Sequence, residues 1–193
     1  MAFYINLDRR IDRRNEIEGE FAKMNMKVER FPAIEHSSPP VGCGLSHIAV
    51  LKLARERGYE SVMVFEDDFM FLISKNEWDT LLRELPSPYD VVMTCSGIVK
   101  PGVYYNEIFD RVQDAQQTAG YIVHSRFYDR LIARFEEGVQ KFMEHPHMHW
   151  VYSIDMYWKP LQRESDWFSF RTKIGRQRPG FSDLTNTFVE YDY

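Results

Sequence analysis

The stretch VMVFEDDFMF, residues 62–71, sets three acids, Glu66-Asp67-Asp68, between two runs of large apolar residues. The run before them, SVMVF at 61–65, is continuous and apolar, as in a strand buried on both faces. Carboxylates against a core are costly unless a cation meets them. In open α/β sheets, ligands bind beyond the carboxyl ends of the strands. The acids stand at that end of a central-looking strand, where chemistry is expected.

Working outward, apolar runs of strand length alternate with amphipathic stretches. Strands are expected at 2–7, 28–34, 61–65, 89–95 and 118–125, with one more within WFSFRT at 167–172. Helices are expected at 12–25 with Asp12 as N-cap, at 44–57 stopped by Gly58, and at 76–85 stopped by Pro86. Two more are expected at 125–142, capped by Ser125, and at 150–159, stopped by Pro160. HSSPP at 36–40 and the stretch 97–117 read as loops. This alternation predicts an α/β fold with a mainly parallel central sheet flanked by helices. No repeat, low-complexity tract or linker divides the chain, so residues 1–193 are expected to form a single domain.

Bulk properties narrow the function classes. With 193 residues and 44% hydrophobic composition, the chain suffices for one well-cored domain. A net charge of −5 disfavours nucleic acid as a partner. No apolar run approaches the roughly 20 residues of a membrane helix, so no transmembrane segment is expected. MAFYINLDRR has too short an apolar run for a secretory signal. Cys43 and Cys95 lack metal or redox spacing and read as free, buried thiols, consistent with a cytoplasmic location.

If residues 66–68 stay extended, Glu66 and Asp68 share one side and Asp67 points opposite. Glu66 and Asp68 are then candidate ligands for a hard divalent cation, with phosphate oxygens and water completing its shell. The alternative is an acidic turn. The return to apolar residues at Phe69 favours the functional reading, because the acids interrupt a buried stretch. DRRIDRR, residues 8–14, brings four arginines to the end of the first strand. One or two are expected to face a site and hold phosphate, the rest to pair with Asp8, Asp12 and Glu16. VGCGLSH at 41–47 lacks the lysine and spacing of a P-loop. Its His47 either contacts a ligand or makes a structural hydrogen bond. HPHMH, residues 145–149, alternates histidines that on a strand would share a face and suit Zn²⁺, but Pro146 and the absence of another evident ligand cluster count against that reading.

YINLDRRIDRR, VGCGLSH, VMVFEDDFMF, YDVVMTCSG, TAGYIVHSRFYDRLI, SIDMYW and RQRPGFSDL, in that order over about residues 2–185, resemble the glycosyltransferase family 25 proteins. That family includes lipooligosaccharide and collagen galactosyltransferases. Position 44 departs from the pattern, being glycine where a bulky residue is usual. The resemblance implies a GT-A fold, a nucleotide-sugar donor (UDP-linked), Mn²⁺ or Mg²⁺ as cofactor, a glycan or protein hydroxyl as acceptor, and inversion at the sugar carbon. Residue by residue it implies donor contacts from Asn6, Leu7, Arg9, Arg13, Ser46, His47, Glu66, Asp67 and Gly120. Asp68 with Glu66 would hold the metal.

An inverting transfer needs a base for the acceptor hydroxyl. Asp155 is the candidate, since its apolar neighbours tend to raise a carboxylate's pKa. Two other readings compete. One is a catalytically silent nucleotide-sugar or glycan-binding domain on the same fold. The other is a metal-dependent phosphoesterase or nuclease, which would want further Asp/His ligands through the chain.

Overall fold

The computed structural model describes residues 1–183 and 186–190. Its centre is an eight-stranded mixed sheet. In chain order the elements begin β1 (Ala2–Asn6), α1 (Ile11–Lys23), β2 (Glu29–Pro32), α2 (Pro39–Glu56), β3 (Ser61–Glu66), β4 (Phe69–Phe71) and α3 (Lys75–Arg83). Next come β5 (Val91–Lys100), β6 (Val103–Tyr104), β7 (Phe109–Arg111), β8 (Asp114–His124) and α4 (Tyr128–Glu144). The chain closes with α5 (His149–Tyr152), α6 (Ile154–Tyr157), α7 (Lys159–Glu164), β9 (Trp167–Phe170), β10 (Gly175–Gln177), β11 (Gly180–Ser182) and β12 (Thr187–Val189).

The main sheet has the order β2-β1-β3-β8-β5-β9-β7-β6. β2, β1, β3, β5, β9 and β6 run one way, while β8 and β7 run the other. Strict alternation of side chains divides the strands between two cores. Phe3, Ile5, Val62 and Val64 face α2, α4, α6 and α7. Ala2, Tyr4 and Phe65 face α1 and α3 through Ile17, Phe21 and Trp78. The sheet is thus covered on both sides, which is why its central strands read as unbroken apolar runs.

The chain enters β1, crosses one face through α1 to β2, then crosses the other face through α2 to β3. β1 therefore lies between β2 and β3, and the order of strands reverses there. Such a switch point leaves a crevice beyond the strand ends. Asn6 ends β1 and Glu66 ends β3, so both open onto it.

Several local expectations are corrected. Asp12 does not cap α1; its carboxylate sits in the first turn and accepts from Arg10 at 2.8 Å. α2 starts at Pro39, because proline is tolerated in a first helical turn, so VGCGLSH lies within the helix. Ser125 begins a 3-10 turn, and α4 proper starts at Tyr128. Residues 150–159 form broken short helices, and Pro160 sits in the first turn of α7, where its missing N–H costs nothing. The 97–117 stretch is not a loop: it carries the end of β5, all of β6 and β7, and the start of β8. Beyond the expected strand at 167–172, the tail supplies β10, β11 and β12. β10 pairs antiparallel with β4 directly after the acids, with Gln177 opposite Phe69.

Gly44 sits where α2 meets α4. A Cβ there would lie 2.5 Å from Val139 Cγ2 and 3.1 Å from Ile154 Cγ2. The glycine sets how closely the two helices approach. Gly44→Leu should cost about 1–3 kcal/mol by overpacking, a fall in melting temperature of roughly 3–10 °C. An unchanged midpoint in thermal denaturation would show that the helices part freely.

Candidate active site

A cavity of about 520 Å³ lies at the switch point. Asn6, Leu7, Arg9 and Arg13 line it from the end of β1 and the start of α1, and Ser46 and His47 from α2. Glu66, Asp67 and Asp68 line it from the end of β3. Gly120 and Asp155 are not part of its lining. Gly120 pairs with Phe65 and Cys95 inside the sheet. A Cβ on it would meet Thr94 Oγ1 at 2.5 Å and Phe69 at 2.7 Å, so its smallness serves packing.

The strand does not stay extended through the acids. β3 ends at Glu66, and Asp67 and Asp68 form a turn. Asp67 therefore does not point away from its neighbours. It accepts from Asn6 Nδ2 at 2.8 Å and from Arg13 at 2.9 Å. The same Arg13 nitrogen reaches Asp68 Oδ2 at 3.3 Å, and Gln177 donates to that oxygen at 3.4 Å. Asp68 Oδ1 is buried with no hydrogen-bond partner among the described residues. Glu66 turns to the other wall, where Thr118 donates to it at 2.6 Å and His47 Nε2 lies 3.3 Å away. His47 also shares a 2.7 Å hydrogen bond with the Tyr121 hydroxyl. His47 is thus both a cavity residue and a hydrogen-bonded buried one.

Electrostatics follow from this arrangement. Burial disfavours charge on Glu66, yet the bonds from His47 and Thr118 outweigh it and hold its pKa below the usual range. Burial pushes Asp67 up, against the pull of Arg13 and Asn6. For Asp68, burial and then the charge of Glu66 raise the pKa to about 7. The crowded acids have one guanidinium between them, so charge balance is incomplete.

The arginines divide much as their density implied. Arg13 is largely buried between the acids, while Arg9 at the cavity rim pairs with Glu35 and, at 2.8 Å, Asp183. Arg10 pairs with Asp12 and Asp183, and Arg14 with Glu18. Asp8 and Glu16 are met by Arg30 and Arg178, which sequence proximity did not suggest. Ser46 accepts from the Ile34 amide at 2.8 Å and donates to Gly42 at 2.7 Å, fixing the loop beside the cavity to α2.

Asp155 stands half-buried in the first turn of α6. It accepts from the Gln117 amide at 3.2 Å, and Gln117 adopts a positive φ of 74°. The next residue, Thr118, bonds Glu66, so two adjacent β8 residues tie Asp155 to the acidic wall. Burial raises the Asp155 pKa. Of the HPHMH histidines, His145 and His147 fall between α4 and α5 and His149 begins α5; none lines the cavity.

The residues that sequence reading missed come from two places. Thr118 and Tyr121 lie on β8 within the quoted TAGYIVHS stretch. Gln177, Arg178 and Asp183 come from RQRPGFSDL, which folds back over the cavity; Leu184, its last residue, lies outside the described residues. Arg178 N donates to the Asp68 carbonyl at 2.6 Å. Arg13 Nη2 donates to the Phe181 carbonyl at 2.9 Å. Among the described residues, Cys43, His47 and Glu66 have possible ligand atoms within 4.8 Å of one another. Among them too, no helix is long and apolar enough to cross a membrane.

No protein-family model and no curated protein sequence matches the chain. Solved structures do match. A glycosyltransferase involved in the glycosylation of the major capsid of PBCV-1 superposes with a TM-score of 0.60 at 8% identity, covering 96% of this chain and 95% of that one. A197 from STIV gives 0.53 at 12% identity, covering 100% of this chain and 94% of that one. The glycosyltransferase GlyE of Streptococcus pneumoniae gives 0.52 at 9% identity, covering 88% of this chain and 44% of that one. At such identities the likeness is one of architecture: the chain has a glycosyltransferase-type, GT-A-like α/β fold.

Proposed function

We propose that the protein is a metal-dependent, inverting glycosyltransferase of the family 25 type. It would transfer a sugar from a nucleotide-diphosphate donor, UDP-linked by that resemblance, to a glycan or protein hydroxyl. The observation that carries this reading is the buried Asp68 Oδ1, without a hydrogen-bond partner among the described residues, in an acid-walled cavity at the switch point. Unpaired buried carboxylate oxygen is costly and uncommon. A divalent cation, Mn²⁺ or Mg²⁺, suits such an all-oxygen donor set. Asp68 and Glu66 would hold it, and when bound it would neutralise the charge that builds on a departing diphosphate.

The chain's own groups supply the rest. Arg9 at the rim presents a guanidinium suited to phosphate oxygens once Asp183 or Glu35 yields it. Arg13 and Asn6 hold Asp67 and so fix the turn that aims Asp68. Asp155 lies outside the cavity lining but feels the charge of Glu66, as befits a group on the acceptor side. There it would take the hydroxyl proton while the acceptor oxygen bonds the sugar carbon and the bond to the diphosphate breaks. Its raised pKa favours that role.

Asp68→Ala should abolish metal-dependent binding of UDP or GDP, measured by calorimetry with Mn²⁺. Unchanged affinity and metal dependence would remove Asp68 from the site. Asp155→Asn should leave donor binding intact and slow transfer about 10²–10⁴-fold. Undiminished transfer to a native acceptor would exclude it as the base.

The metal-free protein should also show a pH signature. Asp68 has a folded pKa of about 7, above an unfolded value of about 3.9. The folded state therefore holds an extra proton between those limits, and stability falls as pH rises through them. In chelator, the melting temperature at about pH 7.5 should lie several degrees below that at about pH 5.5. Asp68→Asn should remove much of that fall. An identical slope in the variant would assign the loss to other groups.

A further inference from the structure

Cys43 and His47 stand one helical turn apart on α2, so one face of the helix carries both. Glu66, from the end of β3, closes the third corner, and the three ligand atoms lie within 4.8 Å of one another. His47 Nε2 and Glu66 Oε1 are 3.3 Å apart. Two ligands each about 2.0 Å from a tetrahedral zinc are separated by about that distance. His47 and Tyr121 are both fully buried, so the ring is held in place. The Tyr121 hydroxyl, 2.7 Å from Nδ1, is the kind of outer partner that orients a metal-bound imidazole. A hydroxyl accepts as well as donates, so it serves the tautomer that leaves Nε2 free to bind. Cys43 and Glu66 both face the cavity.

We propose that Cys43, His47 and Glu66 form a cation site for zinc-class metals, with a fourth position open to the cavity. The donor set of sulfur, nitrogen and oxygen separates it from the all-oxygen role of Asp68, because thiolate selects softer ions. On binding, the sulfur–metal bond forms as the Cys43 proton passes to solvent. His47 supplies a lone pair and Glu66 a carboxylate oxygen, and no oxidation state changes. Glu66 is common to this site and to the one proposed for the hard cation, so the two cannot be filled independently.

The test uses Co²⁺ as a spectroscopic stand-in, added to the chelator-stripped 193-residue chain. The wild type should develop the near-ultraviolet thiolate-to-cobalt charge-transfer band, saturating at one equivalent and bleached by Zn²⁺. Cys43→Ser should lose the band and weaken Zn²⁺ binding at least about 100-fold. Asp68→Asn should keep the band, which separates failure of this site from failure of the hard-cation assignment. If Cys43→Ser lowers the melting temperature of the metal-free protein, Cys43→Ala takes its place. Absence of the band in the wild type, or its persistence without Cys43, would overturn the proposal.

Discussion

Arg13 lies between Asp67 and Asp68, and Asn6 spans from the end of β1 to the end of β3. The whole site depends on this contact. The sheet order brings two strand ends together, and the acids after β3 would repel one another there. A single guanidinium, with an amide beside it, makes the turn tenable. Removing Arg13 would leave both carboxylates buried without a counter-charge, the costly case for an ionic group. The first turn of α1 is thus constrained by electrostatics as well as by its apolar face.

That constraint also divides labour among the acids. Asp67 is consumed by Asn6 and Arg13 and acts as the anchor. Glu66 is drawn to the opposite wall by Thr118 and His47. Asp68 keeps an oxygen with no hydrogen-bond partner among the described residues. Three adjacent acids therefore have three environments, and under the proposed function the chemistry falls to the least satisfied of them.

Much of this was legible in the sequence because it is local. The apolar run at 61–65 gave a doubly covered strand, and the next residues necessarily fell at its carboxyl end. The arginine density after β1 gave two cavity-facing guanidiniums. What was not legible depends on pairings distant in sequence. The bend at Asp67 defeats an argument from strand alternation, since it comes from Asn6 and Arg13 more than fifty residues earlier. β6 and β7 are too short for periodicity to register. The resemblance implies a donor contact from Gly120, but Phe69 and Thr94 occupy the space beside it. RQRPGFSDL carries a resemblance but no sign of where it folds, because the place of 176–183 is set by the pairing of β10 with β4.

That last pairing bears on how the molecule is made. Gln177 meets Asp68 across 109 residues of chain, and Asp183 meets Arg9 across 174. Residues 176–183 leave the ribosome after every strand of the large sheet. Until then the acidic turn lacks its Gln177 and Arg178 contacts. Substitutions that loosen residues 176–183 would therefore act chiefly on unfolding, on how readily the last segment lets go.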